Sequence, residues 1–246
     1  NIIGFEVEVA DYLGVKHAIS VCNGTISLEI ILKALRIGKG DEVILSPLTF
    51  IATGTAILSV GAKPVFIDID PQTLNLDPNK IEDVITKKTV AIIAVSLCGY
   101  PAALPHLYGI CNDYGIYLIE DSAQALGAKI GDYKVGSYGD LSSFSFQETK
   151  QISTLGEGSA IITSDDRLAD LCRNIRNHGN AYGSLNDIVC TNARLSEAAA
   201  AFGRVQLTKL DRFNEIQIEN AEYFLSHLPN FLSSVYTFPI PNGLKP

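Results

Sequence analysis

The sequence predicts an α/β protein built on a mostly parallel sheet. Short apolar runs alternate with longer amphipathic segments, which is the rhythm of strand–helix–strand units. One run, VAIIAVSL at residues 90–97, is apolar almost throughout, as a strand covered on both faces must be. No apolar run reaches the 18 or so residues that would span a bilayer.

Element by element, HAISVC (residues 17–22) is the first strand. Gly24 to Leu35 follows as a helix, because Ile26, Ile30, Ile31 and Leu35 share one face. Glu42–Leu45 is strand-like, Thr49–Val60 helical, and Lys63–Ile67 strand-like again. Pro78 marks a helix start, with Ile81, Val84 and Ile85 as its apolar face. After the buried run come a helix over Ala103–Tyr114 and a strand over Ile116–Ile119. The rhythm changes after Gly158, with a strand at Ala160–Thr163, a helix at Arg167–Arg176 and a long helical pattern over Ser196–Leu225. A domain boundary is expected near Asp211–Asn214, giving units 1–212 and 213–246, and four prolines after residue 228 break the remaining pattern.

Composition narrows the function. With 47% hydrophobic and 19% charged residues the chain is not disordered. Its net charge of −8 argues against a nucleic-acid partner, because phosphate backbones want a basic face. Five widely spaced cysteines form neither a disulfide framework nor a zinc site and read as reduced cytosolic thiols, so the cytoplasm is the expected compartment and no metal is expected. There is no Met, and position 1 is Asn, so the chain is expected to be part of a longer protein.

In an open parallel sheet, ligands gather beyond the carboxyl ends of the strands. Asn23-Gly24-Thr25 follows the first strand at a helix start. It is either an ordinary cap or an anion site, since Gly allows close approach and the first amides bind negative charge. Thr49 and Phe50 follow the second strand, and Glu120-Asp121 and Gln124 follow IYLI. Asp121 is either a helix N-cap or a carboxylate holding a positive ring nitrogen. Lys150, after Phe144-Ser145-Phe146, is either a surface lysine or a Schiff-base former activated by desolvation. His178 reads as structural. The dinucleotide fingerprint and the Walker A loop are both absent. Together these residues ask for a ligand with a phosphate, a stackable ring, a ring nitrogen and a lysine-reactive carbonyl, and pyridoxal 5′-phosphate (PLP) has all four.

The chain resembles the DegT/DnrJ/EryC1/StrS family of PLP-dependent sugar aminotransferases. The resemblance is carried by CNGTISL (22–28), GKGDEVILSPLTFIAT (38–53), VGAKPVFIDIDPQT (60–73), LCGYPA (97–102), LIEDSAQALGA (118–128), FSFQETK (144–150), GEGSAIIT (156–163), IRNHG (175–179) and NARLSEAAAAFGRVQL (192–207). The wording of CNGT and FSFQETK is similar to members that make 4-amino sugars such as perosamine. The resemblance implies a three-layer α/β/α domain of PLP fold type I, followed by the start of a small C-terminal domain. It also implies that the family's segments before Phe5 and after Leu225 are lacking or cut short.

Site roles follow from the resemblance. Lys150 matches the Schiff-base lysine and Asp121 the acid on the pyridinium nitrogen. Gln124 matches the residue near the cofactor's phenolic oxygen, and Phe50 the aromatic stacked on its ring. Gly24, Thr25 and Ser145 match phosphate contacts. Asn192 matches a phosphate contact supplied by the other subunit, with Arg194 in the same N-x-R motif, which implies a homodimer with a shared site. Two positions depart from the pattern: Ser159 stands for a Gly, and Cys190-Thr191 precede Asn192 without the usual Gly. The implied reaction moves an amino group from an amino acid, usually L-glutamate, to a nucleotide-linked keto-sugar in amino-sugar, polysaccharide or antibiotic-sugar synthesis. A PLP-dependent sugar dehydratase and a non-catalytic sensor on the same scaffold are the alternatives. The intact Lys150 favours transfer.

Overall fold

A computed structural model describes residues 1–179, 188–227 and the backbone of 244–245. Seven strands form the central sheet in the order β1-β9-β8-β5-β4-β2-β3. They are β1 (His17–Val21), β2 (Glu42–Leu45), β3 (Lys63–Phe66), β4 (Thr89–Val95), β5 (Tyr117–Asp121), β8 (Leu141–Ser145) and β9 (Ser159–Thr163). From β3 through β2, β4 and β5 to β8 every pairing is parallel, whereas β9 is antiparallel to both β8 and β1. The predicted mostly parallel sheet is therefore present. The reversal of β9 leaves β1 pointing the same way as β8. The carboxyl ends of β1, β2, β4, β5 and β8 consequently open on one rim. A second, small antiparallel sheet joins β6 (Lys129–Ile130), β7 (Tyr133–Lys134) and β10 (Leu244–Lys245).

Alternation of side chains along the strands builds three layers. On one face Ile19, Val21, Val43, Leu45, Ile93, Ile119 and Ile161 pack under helices α2 (Gly24–Ala34), α3 (Ile51–Ser59) and α5 (Asp166–Arg176). On the other face, Ile44, Ile92 and Leu118 meet α4 (Leu104–Tyr114). Farther along that face, Ala160, Ile162 and Phe144 meet α1 (Ile2–Leu13) and α6 (Glu197–Leu207). No helix among the described residues is long and apolar enough to cross a membrane.

Three local expectations change. Pro78 begins only a single 3-10 turn, Pro78–Lys80, capped by Asp77, although Ile81 is fully buried. Ile81 nevertheless joins the cluster of Leu104 and Leu107, with Val84 and Ile85 partly buried against it. The long helical pattern over Ser196–Leu225 divides at Thr208-Lys209 into α6 and α7 (Leu210–His227). Residues 2–13, with no element assigned from sequence, form α1. Their FEVEVA stretch alternates like a strand, but burial of Phe5, Val9, Ala10 and Leu13 at helical spacing decides the conformation.

Gly158, just before β9, has no room for a side chain. A Cβ there would lie 2.0 Å from Thr154 Oγ1 and 3.1 Å from Leu195 Cδ1. Gly158→Ala is expected to cost about 2 kcal/mol through overpacking. Thermal melts check this, and an unchanged Tm would show that Thr154 moves aside freely.

Candidate active site

The rim collects the candidate residues by strand register. At the end of β1, Asn23 caps α2 by accepting from the Ile26 amide at 3.0 Å. The helix ladder starts at the Ser27 amide, which donates to the Asn23 carbonyl at 3.1 Å. The Gly24 and Thr25 amides precede that ladder and point out of the positive end of the helix. A Cβ on Gly24 would come 3.4 Å from Ser145 Cβ and 3.6 Å from its Oγ. The glycine thus lets the tip of β8 close against the helix end. Two amides and two hydroxyls converge there, a donor set suited to a phosphate. Asn23 is a cap, and the same turn leaves amides free at the helix end.

Asp121 closes β5, paired with Val95 of β4 and Ser143 of β8, and is 7% exposed. Its Oδ2 accepts from Thr53 Oγ1 at 2.7 Å, and its Oδ1 accepts the longer bond from the Ala123 amide at 3.3 Å. No helix starts here, because residues 122–128 run as turns, so the N-cap reading falls. Burial pushes the Asp121 carboxyl up from the usual carboxylate range, while Thr53, the Ala123 amide and the positive charge of Lys150 pull it back.

Lys150 is half-buried in the loop after β8, its amide donating to the Gln147 carbonyl at 2.9 Å. That loop closes on itself through Phe146 N–Gly158 O (2.8 Å), Glu148 N–Gly156 O (3.0 Å) and Thr154 N–Phe146 O (3.1 Å). Gln124 is tied to two neighbouring segments. Its Oε1 accepts from the Cys98 amide at 2.7 Å, and its carbonyl accepts from Gln151 Nε2, next to Lys150. Phe50, at the start of α3, is 68% exposed at the rim. A bare aromatic face beside a buried carboxylate is what a stacked ring would need.

Asn192 and Arg194 are both exposed, in the segment that runs beside the end of β1. The Cys22 amide donates to the Ala193 carbonyl at 2.9 Å, and Arg194 bridges Val21. The altered turn at Cys190-Thr191 is held by Thr191 N–Ile175 O (2.9 Å) and Ala193 N–Arg176 O (3.0 Å). Ser159, the other departure, is fully buried and donates to the Phe144 carbonyl. Neither departure opens the rim. A cleft of about 560 Å³, lined by Thr86, Thr89, Tyr114 and Tyr117 among others, lies at the amino ends of β4 and β5 and holds none of these groups.

Sequence reasoning gave no role to two residues that the structure singles out. Thr53 is fully buried against Asp121, and the signal was its spacing of four from Thr49 at a helix start. Glu120, also fully buried, accepts the amides of Gly136, Tyr138 and Gly139 at 2.7–2.8 Å. A carboxylate in the middle of an apolar strand was the signal there.

Comparison with known proteins finds chains and structures that this one resembles. The chain is 40% identical over 234 residues to a "Pleiotropic regulatory protein" of Geobacillus stearothermophilus, covering 95% of this chain and 63% of that protein. It is 37% identical to the GDP-perosamine synthase of Vibrio cholerae, covering 94% of this chain and 64% of the relative. The crystal structure of S. venezuelae DesV in complex with a ketimine intermediate superposes with a TM-score of 0.94 at 34% identity, covering 100% of this chain and 66% of that one. The chain thus spans a little under two thirds of the length of each. The sequence pattern of the DegT/DnrJ/EryC1/StrS aminotransferase family matches residues 1–239, and the chain belongs to that family.

Proposed function

We propose that this chain is the cofactor-binding part of a PLP-dependent transaminase that moves an amino group from L-glutamate to a nucleotide-linked keto-sugar. The observation that carries the reading is the buried Asp121 carboxylate within electrostatic reach of half-buried Lys150, on the rim where α2 and Ser145 form an anion cradle. When bound, PLP supplies an electron sink and a carrier for the amino group.

The chain's own residues do the rest. Gly24, Thr25 and Ser145 hold the phosphate, and Phe50 covers one ring face. Asp121 pairs with the ring nitrogen and keeps it protonated. Gln124, whose side-chain carbonyl is already used by the Cys98 amide, has its NH₂ left for the phenolic oxygen. With PLP bound, Lys150 would hold the cofactor's carbonyl carbon through its Nζ and, once freed by the incoming donor amine, would take the proton from the donor's α-carbon. Exposed Asn192 completes the phosphate site of a second copy, which makes the working unit a homodimer. Residues 1–212 form the cofactor unit, and 213–246 lead into a closing domain. The five free cysteines favour a reducing cytoplasm, and the −8 charge leaves nucleic acid an unsuitable partner.

The test uses PLP-loaded protein, isotope-labelled glutamate and a panel of nucleotide-linked keto-sugars. Release of 2-oxoglutarate without sugar, followed by labelled nitrogen in one sugar product, is the expected ping-pong result. Firm PLP binding with no release of keto acid would overturn transfer in favour of a sensor.

A further inference from the structure

Thr53 has no part in the roles above, yet it is the shortest contact of the Asp121 carboxylate. Its Oγ1 is fully buried in the first turn of α3 and donates to Asp121 Oδ2 at 2.7 Å. Thr49 Oγ1 lies 2.8 Å from Thr53 Oγ1, one turn earlier. A hydroxyl has one proton, and Thr53 spends its own on the carboxylate. Thr49 must therefore be the donor of that second bond, and the order is Thr49 to Thr53 to Asp121. Successive hydroxyl bonds polarise one another, so Thr49 strengthens the bond that Thr53 makes.

We propose that Thr53, backed by Thr49, is a positioning residue that acts through Asp121. It fixes the carboxylate by one oxygen, keeps it ionised and leaves the other oxygen to a cationic ring N–H. The proposal rests on the PLP reading. Oδ1, with only the 3.3 Å contact from Ala123, is the oxygen left for that N–H. The surroundings of Asp121 make the hydroxyl matter. From the loop after β8 comes the charge of Lys150, whereas β4, β8 and α3 present Val95, Ser143, Thr49 and Thr53, none of which ionises near neutrality. Glu120, the adjacent acid, is turned away into the Gly136–Gly139 loop. Burial raises the Asp121 carboxyl, and the Thr53 bond is the largest influence opposing it.

Two measurements test this. In the first, PLP binding to the full chain is titrated against pH for wild type, Thr53→Val and Thr53→Ser. Thr53→Val is expected to weaken binding about tenfold near neutrality, the loss expected for one bond to a charged acceptor. Its acid limb should move up by about one pH unit, because the carboxylate then protonates more readily. Thr53→Ser keeps the hydroxyl and should restore both. Equal losses in the two variants, with no pH shift, would reduce Thr53 to packing and overturn the proposal.

In the second, cofactor-free protein is melted across pH. A buried acid whose pKa is raised by folding binds more protons folded than unfolded, so stability falls as pH rises through that window. Thr53→Val raises the folded pKa further, so its Tm deficit should grow as pH rises above the ordinary carboxylate range. In an Asp121→Asn background that growth should vanish, and a deficit growing equally in both backgrounds would sink the coupling. Failure of wild type to bind PLP would instead overturn the cofactor reading, and the melts would still report whether the bond holds the carboxylate ionised.

Discussion

Lys150→Ala is expected to abolish covalent capture of PLP and to lower amino transfer by at least about a thousandfold. The reason lies in placement. The 146–158 loop is closed by three backbone hydrogen bonds, so Lys150 is presented on a fixed turn beside Asp121. Alanine leaves that turn intact, because the bonds are made by the backbone. Gly24, Thr25 and Ser145, proposed above to hold the phosphate, also stay in place, so non-covalent PLP binding should persist at reduced affinity. Borohydride reduction followed by peptide mapping checks the chemistry, since wild type should carry the reduced cofactor on the peptide containing Lys150 and the variant on none. A labelled peptide elsewhere, or an unimpaired variant, would move the Schiff-base role to another lysine.

Glu120→Leu is expected to be the most damaging change to stability outside the site. The carboxylate of Glu120 accepts three amides: Gly136 on Oε2, and Tyr138 and Gly139 on Oε1. Leucine would leave three amide donors, one buried and two part-buried, with no acceptor, at about 1–3 kcal/mol each, or roughly 3–9 kcal/mol together. That is a large part of the 5–15 kcal/mol or so that holds a typical domain together. The loop cannot turn its amides elsewhere. Gly136 has a positive φ of 96° beside the Phe144 ring, and Gly139 lies so close to the Leu118 carbonyl that a Cβ would be 2.7 Å away. Glu120→Gln should fall between, because its one carbonyl can keep Tyr138 and Gly139 while its NH₂ faces the Gly136 amide as a second donor. Denaturant unfolding with unchanged m-value measures all three proteins. Equal midpoints for wild type and Glu120→Leu would show that the loop amides find solvent.

Much of this was legible because local chemistry was consistent with the fold. VAIIAVSL reads as a buried strand, realised as β4 up to Val95, and Gly24 after a strand and before an amphipathic helix reads as a helix start, realised as the first residue of α2. The site motifs were readable for the same reason, as each combines a strand end with a residue type that an anion, a ring or a carbonyl requires. Elements stayed unassigned or were merged where a pattern was ambiguous on its own. FEVEVA alternates like a strand until α6 packs against it, and Glu8 pairs with Arg204 across that contact. The long helical pattern over 196–225 concealed the break at Thr208-Lys209, because residues compatible with a helix run through it on both sides.

The sequence by itself determined the alternation of strands and helices and the carboxyl-end position of the main candidates. Those depend on residue type and short-range spacing. Only the tertiary structure decided which candidates are neighbours. The reversed β9 places β1 and β8 in the same direction, and this brings Gly24 against Ser145. Parallel pairing of β5 between β4 and β8 sets Asp121 deep enough that Thr53, sixty-eight residues away, becomes its hydrogen-bond donor. Burial made that donor necessary, since a carboxylate removed from water needs each of its partners supplied by the protein.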